Sequence, residues 1–219
     1  VANFQGPRRR AMGGCLGRIT VETPKYKVVE DLVSEHGYEV RQYPPILVAE
    51  TACDSTKEGN TAAFMKLARY IGVFGNPENK TKDGEPEAVA MTAPVLNTAG
   101  PSEEISMTAP VLNSGGKMAF TLPSKYKTLE SAPKPTNPEV SLREMPGFEA
   151  AVFTYTWTTD QADAEKRVVE FAAQLREDHS KRMEKQEDGK IKFSLCRYNG
   201  PFTLPFMRTN EISIYMRNA

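Results

Sequence analysis

Apolar and polar residues alternate along Tyr26-Lys27-Val28-Val29-Glu30 and again along Tyr38-Glu39-Val40-Arg41-Gln42-Tyr43. A period of two is that of a half-buried strand, so these stretches predict two short strands with His36-Gly37 as the turn. After Pro44-Pro45, residues 46–52 continue as a third strand. The period then changes. Over residues 61–74, Ala63, Leu67, Tyr70 and Ile71 form one apolar stripe, and Phe64, Ala68 and Ile71 a neighbouring one. This is helical spacing, with Asn60 or Thr61 as a natural N-cap and Lys66 and Arg69 on another side. Two adjoining stripes exceed what one core contact needs. The second either floors an apolar binding site or belongs to a deeply buried helix, and the pattern alone leaves both open.

A polar loop at 75–86 leads into an exact repeat. Met91-Thr92-Ala93-Pro94-Val95-Leu96-Asn97 returns as Met107-Thr108-Ala109-Pro110-Val111-Leu112-Asn113. Each copy ends in small, turn-forming residues, which reads as a hairpin arm with each Pro at an edge, strand end or bulge. A strand at 117–122 and a Pro-rich link at 123–138 follow. The second half then echoes the first at an offset of about 102 residues: Arg41 onto Arg143, Pro44 onto Pro146, helix 61–74 onto 163–176, and strand 89–95 onto 191–197. A shared offset across several elements points to internal duplication. The half repeats run over about 23–122 and 139–217, with the arm as an insertion at about 97–113. The second helix, 161–183, presents Val168, Phe171, Ala172 and Leu175 to a core. His179 lies near its C-terminal end, where a cation suits the helix dipole. Two strand-strand-helix-strand-strand units predict an α+β domain over 21–219, behind a flexible tail at 1–20.

The chain has 28 acidic and 28 basic residues and a formal net charge of +0, which argues against a general nucleic-acid binder. No apolar run approaches the roughly 20 residues of a membrane-spanning helix. Cys15, Cys53 and Cys196 are far apart and lack metal-site spacing, so unpaired thiols in a reducing compartment are expected. The tail at 1–20 carries Met12-Gly13-Gly14-Cys15, a weak match to an acylated N-terminus, and an Arg-rich, acid-poor composition compatible with a transit-peptide remnant. Enzyme signatures such as a phosphate-cradling Gly loop, a serine elbow, HExxH or CxxC are missing, so no catalytic residue and no protein-bound metal is assigned. What stands out is apolar surface. Phe202, Leu204, Phe206 and Met207 crowd a Pro-rich loop that needs cover from the core or from a ligand, and Lys66, Arg69 and Arg208 offer rim charges for anionic groups.

Several motifs carry a resemblance: Val21-Glu22-Thr23-Pro24-Lys25-Tyr26, Tyr38 to Tyr43, Ile71-Gly72 with Gly75-Asn76-Pro77, and the repeated Met-Thr-Ala-Pro-Val. Leu122-Pro123-Ser124-Lys125-Tyr126, Arg197-Tyr198-Asn199 and Arg208-Thr209-Asn210-Glu211 complete the set. Over about residues 20–217 the chain resembles the SOUL/haem-binding protein family, and its tandem repeat looks like a plant or algal feature. The resemblance implies a twisted, mostly antiparallel eight- or nine-stranded β-barrel flanked by two helices, with pseudo-symmetric halves. It also implies reversible binding of haem and other tetrapyrroles such as protoporphyrin IX in an open apolar cleft, by a cytoplasmic carrier or buffer. Carried over position by position, the cleft would be lined by Thr61, Phe64, Met65, Ala68 and Arg69 on the first helix, and covered by Phe202, Leu204 and Phe206. Animal relatives have Met where this chain has Phe64 and Ala68, and neither His36 nor His179 lies on the first helix. Affinity is therefore expected from apolar contact and rim charge, without a strong axial ligand. Two other readings remain: an enzyme acting on a bound tetrapyrrole, and a protein-interaction module or homodimer using the hairpin arm. The compartments to weigh against the cytoplasm are the chloroplast and a membrane surface reached through the N-terminus.

Overall fold

The alternating stretch at residues 27–43 forms two antiparallel strands, β1 (Lys27–Leu32) and β2 (Tyr38–Tyr43), joined by a one-turn helix α1 (Val33–His36). Gly37 closes that turn at φ 77, a left-handed position that costs glycine little. A computed structural model of the chain describes residues 19, 21–54, 56–98, 116–157, 161–186, 189–199 and 203–217. The second Met-Thr-Ala-Pro-Val copy and the tip of the predicted arm lie outside these residues.

Next come β3 (Ile46–Ala52) and α2 (Lys57–Ile71). The helix starts earlier than the apolar stripe does, because Thr56 caps it by accepting from Gly59 N at 2.9 Å. Gly72 ends it at φ 86, packed so closely on Pro77 that a Cβ would sit 2.7 Å from Pro77 Cγ. The order continues with β4 (Asn79–Lys80), β5 (Val95–Thr98), β6 (Lys117–Thr121), β7 (Lys134–Pro135), β8 (Ser141–Met145) and β9 (Phe148–Tyr155). Helices α3 (Gln161–Gln174) and α4 (Glu177–Arg182) and strands β10 (Phe193–Arg197) and β11 (Asn210–Met216) complete it.

Two expectations change. The strand predicted at 89–95 begins only at Val95, because Val89 is buried and its N–H bonds Ile71 O at 3.1 Å. The helix predicted at 161–183 breaks at Leu175-Arg176, where the Arg176 N–H donates to Tyr38 Oη at 3.2 Å instead of continuing the ladder. His179 is accordingly a buried tie between elements. Its Nδ1 lies 2.7 Å from Tyr38 Oη and its Nε2 3.0 Å from Glu30 Oε1.

Nine strands form one antiparallel sheet in the order β1-β2-β9-β11-β10-β5-β6-β3-β8, while β4 and β7 pair separately. The sheet is an open half-barrel, not a closed barrel, with β1 and β8 as its two edges. A register shift between Val28 and Glu30 blunts the β1 edge. Exchanging β2 with β8, β3 with β9, β5 with β10 and β6 with β11 reverses the order of these eight strands and leaves it unchanged.

Short links force the curl. Pro44-Pro45 joins β2 to β3, which stand six places apart in the sheet. On a flat sheet that gap would be roughly 29 Å at about 4.8 Å per strand, whereas two linking residues span about 11 Å. Gly147, in the equally short link from β8 to β9, packs beside this one, with a Cβ position 3.0 Å from Tyr43 O. Both main helices lie on the outer face. Ala63, Leu67, Tyr70 and Ile71 of α2 cover Leu47, Ala49, Met118 and Phe120. Ala164, Val168 and Phe171 of α3 cover Tyr38, Ala151, Leu195 and Ile212. The inner face carries Val48, Leu96, Ala119, Met145, Cys196 and Tyr215.

Candidate functional site

Strand register lines up one row across the outer face between the helices. Phe120 pairs with Val95, Val95 with Arg197, Arg197 with Asn210, and Asn210 with Tyr155. Four inter-strand spacings make this row roughly 19 Å long. At one end Phe64 of α2 meets Phe120 edge-on, with ring centroids 5.5 Å apart. At the other, the Arg167 guanidinium of α3 stands 5.0 Å over the Tyr155 ring. Arg197 thus stands in the middle of the row, between the α2 end and the α3 end. Burial pulls the Arg197 pKa below the usual guanidinium value, partly offset by facing Tyr155 and cysteine groups.

The helix period sorts the predicted α2 residues. Thr61, Phe64, Ala68 and Met65 fall within an arc of about 100°. The opposite flank is turned toward the β7–β8 side, where Lys66 pairs with Glu139 at 2.6 Å and Tyr70 Oη donates to Pro133 O at 2.9 Å. The Thr61–Phe64–Ala68 flank thus faces β5 and the row. Asn97 Nδ2 of β5 lies 3.0 Å from Asn60 Oδ1 at the first turns of α2, which ties that wall down. Phe64 and Met65 are half-buried, Thr61 and Arg69 exposed, and Ala68 buried at the base of the flank.

The apolar loop sits at the far end of the row. Trp157 N donates to Pro205 O at 3.0 Å, and Asn210 Nδ2 donates to Trp157 O at 2.7 Å. These bonds hold Trp157 at φ 89, a left-handed conformation that a bulky residue adopts only when its surroundings impose it. The Trp157 and Phe206 rings lie 6.4 Å apart and are 56% and 54% exposed, and Leu204 is exposed beside them. Phe202 lies outside the described residues. Arg208 is turned back on its own loop, its Nε donating to Thr203 O at 2.8 Å. The structure thus gathers Thr61, Phe64 and Met65 on one wall and Leu204 and Phe206 at the end. Arg197, Tyr155, Arg167 and Trp157 were missed by sequence reasoning. Only strand register reveals Arg197, although Arg197-Tyr198-Asn199 stood out as a motif.

The inner face encloses a second space, a cavity of about 600 Å³. None of the predicted α2 or loop residues lines it. At its wall Arg41 donates to both Glu211 oxygens at 2.9 Å and from Nε to Glu39 Oε1 at 2.6 Å, and Tyr198 Oη donates to Glu211 Oε2 at 2.5 Å. Burial pushes the nearby Cys196 thiol up to about 12. Iodoacetamide at pH 8 is therefore expected to leave Cys196 unmodified in the folded protein and to alkylate it in urea. Peptide mapping by mass spectrometry checks this, and rapid alkylation of the native thiol would contradict it.

A curled antiparallel sheet with two outer helices defines an α+β half-barrel class. The chain belongs to the SOUL heme-binding protein family, whose model, described as "SOUL heme-binding protein", matches residues 21–215. Among solved structures it is similar to the EcmrR C-terminal domain, at 12% identity and TM-score 0.47 over 83% of this chain and 99% of that one. It is also similar to a hydrolase encoded by lin2189 from Listeria innocua, at 12% identity and TM-score 0.49 over 86% of this chain and 99% of that one. A third is SAV2435 bound to tetraphenylphosphonium, at 10% identity and TM-score 0.42 over 83% of this chain and 94% of that one. No curated protein matches the chain. Among the described residues no helix is long and apolar enough to cross a membrane, and no cluster of His, Cys, Asp or Glu could hold a metal ion.

Proposed function

We propose that this protein binds haem and related tetrapyrroles, including protoporphyrin IX, reversibly on its outer face, as a carrier or buffer and not as an enzyme. Family membership supports a haem-type ligand. The observation that carries the placement is the row from Phe64 to Tyr155, with Arg197 in its floor. A flat macrocycle would lie on the flank of Thr61, Phe64, Met65 and Ala68, with Leu204 and Phe206 covering its far side. Its carboxylates would be drawn to Arg197, and to Arg69 at the rim. Apolar walls with one or two placed charges suit a ligand that is largely apolar and anionic at one edge. Two chemistries can act on such a pigment. Carriage leaves it intact, whereas metal removal needs a proton donor over the ring centre. Carriage is the simpler reading, because it asks only for apolar contact and for cations such as Arg197 and Arg69 near the ligand's carboxylates.

An absorption titration with hemin and protoporphyrin IX, followed by chromatography of the recovered pigment, tests this. Both pigments should bind saturably and return unaltered, and Phe64→Asp should abolish binding while the circular dichroism stays folded. Altered pigment would overturn the carrier reading, and full binding by folded Phe64→Asp would overturn the placement.

A further inference from the structure

The inner-face cavity has the opposite electrostatic character from the groove. Of the charged residues that line it, Arg41 is the cation and Glu39, Glu211 and Asp31 are the carboxylates, counted among the described residues. Asp31 sits at the mouth, where Oδ1 accepts from Val33 N at 3.2 Å. Glu39, Arg41 and Glu211 are each more than nine-tenths buried. Glu211 is saturated, since Arg41 takes both oxygens and Tyr198 and Thr154 add one bond each. Glu39 is not: every hydrogen bond it accepts from the described residues falls on Oε1. One guanidinium thus faces two buried carboxylates, and the trio carries an excess negative charge in a space walled by aromatic rings. The Arg41 guanidinium already stacks over Tyr26 at 4.2 Å, Tyr43 stacks on Phe148 at 4.7 Å, and Phe148 meets Tyr215 at 4.9 Å.

We propose that this cavity is a second ligand site, separate from the tetrapyrrole groove, and that it takes an organic monocation with a flat aromatic body. An excess buried negative charge is costly until a cation offsets it. Tyr and Phe faces favour a delocalised cation over water. At about 600 Å³ the cavity is of the size that holds a drug-sized molecule. A tetrapyrrole carrying two propionates is excluded by the same charge, so one chain offers an anion-seeking outer groove and a cation-seeking inner cavity.

The test uses 10-methylacridinium, a fluorescent flat cation, against neutral acridine at pH 8, with the full chain. The cation should bind saturably, one per chain, and at least tenfold more tightly than acridine. Glu39→Gln keeps one carboxylate opposite Arg41 and should weaken the cation about tenfold or more, while leaving acridine and protoporphyrin IX binding unchanged. Ser213→Leu, which fills the cavity from β11 without touching the charges, should abolish cation binding and keeps the test decisive if Glu39→Gln folds poorly. Equal affinity for cation and neutral ring, an unaffected Ser213→Leu, or displacement of the cation by protoporphyrin IX would each overturn the proposal.

Discussion

Arg41→Leu is expected to destabilise the fold by about 3–5 kcal/mol, the largest loss predicted for any single change in this chain. Burial works against the Arg41 charge, yet facing Tyr43 and Glu211 more than offset it, so the guanidinium is held above its usual range. Leucine would strand two carboxylates inside the half-barrel, and the unfavourable part is what remains, not what is lost. The triple variant Glu39→Gln, Arg41→Leu, Glu211→Gln removes the stranded charge and should recover more than half of the loss. Urea unfolding followed by circular dichroism measures both. A loss below about 1 kcal/mol for Arg41→Leu would mean that water reaches the trio freely and that it behaves as a surface pair.

Arg197→Leu should weaken protoporphyrin IX binding by tenfold or more and leave its dimethyl ester nearly untouched. A charge-assisted hydrogen bond to a carboxylate contributes about 1.5–3 kcal/mol, which corresponds to roughly one to two orders of magnitude in affinity. The ester keeps the ring and loses the anions, so the double comparison isolates the guanidinium from any change in groove shape. Stability should change less than for Arg41, because Arg197 is only half-buried and sits at the end of β10. Equal losses for acid and ester would assign Arg197 a packing role and move the propionates elsewhere, to Arg69 or Arg167.

Much of this was legible in the hydrophobic pattern. The periods of two and 3.6 mark β2, β3, β9, β11 and both main helices. The curl was not legible as a number of strands. It follows from Pro44-Pro45 and Pro146-Gly147 joining strands that lie far apart in the sheet, a fact about pairing. The resemblance implied a barrel of eight or nine strands, and the nine-stranded sheet is curled but open between β1 and β8. Arg197 escaped because its neighbours Phe120, Val95, Asn210 and Tyr155 come from four other strands, and only register brings them together. The inner trio escaped for a subtler reason. Glu39 and Arg41 alternate with Tyr38 and Val40 just as a solvent-facing side would, so periodicity reads them as exposed, whereas the curl turns that side inward and buries it. The break between α3 and α4 was hidden because Arg176 and His179 suit a continuous helix, and what interrupts it is Tyr38, more than a hundred residues earlier.

The measurement that tests the central claim most directly is a methyl-labelled NMR titration with manganese(III) protoporphyrin IX, whose paramagnetic centre broadens nearby signals. The outer-face account predicts that the methyls of Met65 and Leu204 broaden first, together with Val95, while Leu96 and Val152 on the inner face keep their lines. Broadening led by Leu96 and Val152 would place the pigment inside the half-barrel and contradict the account.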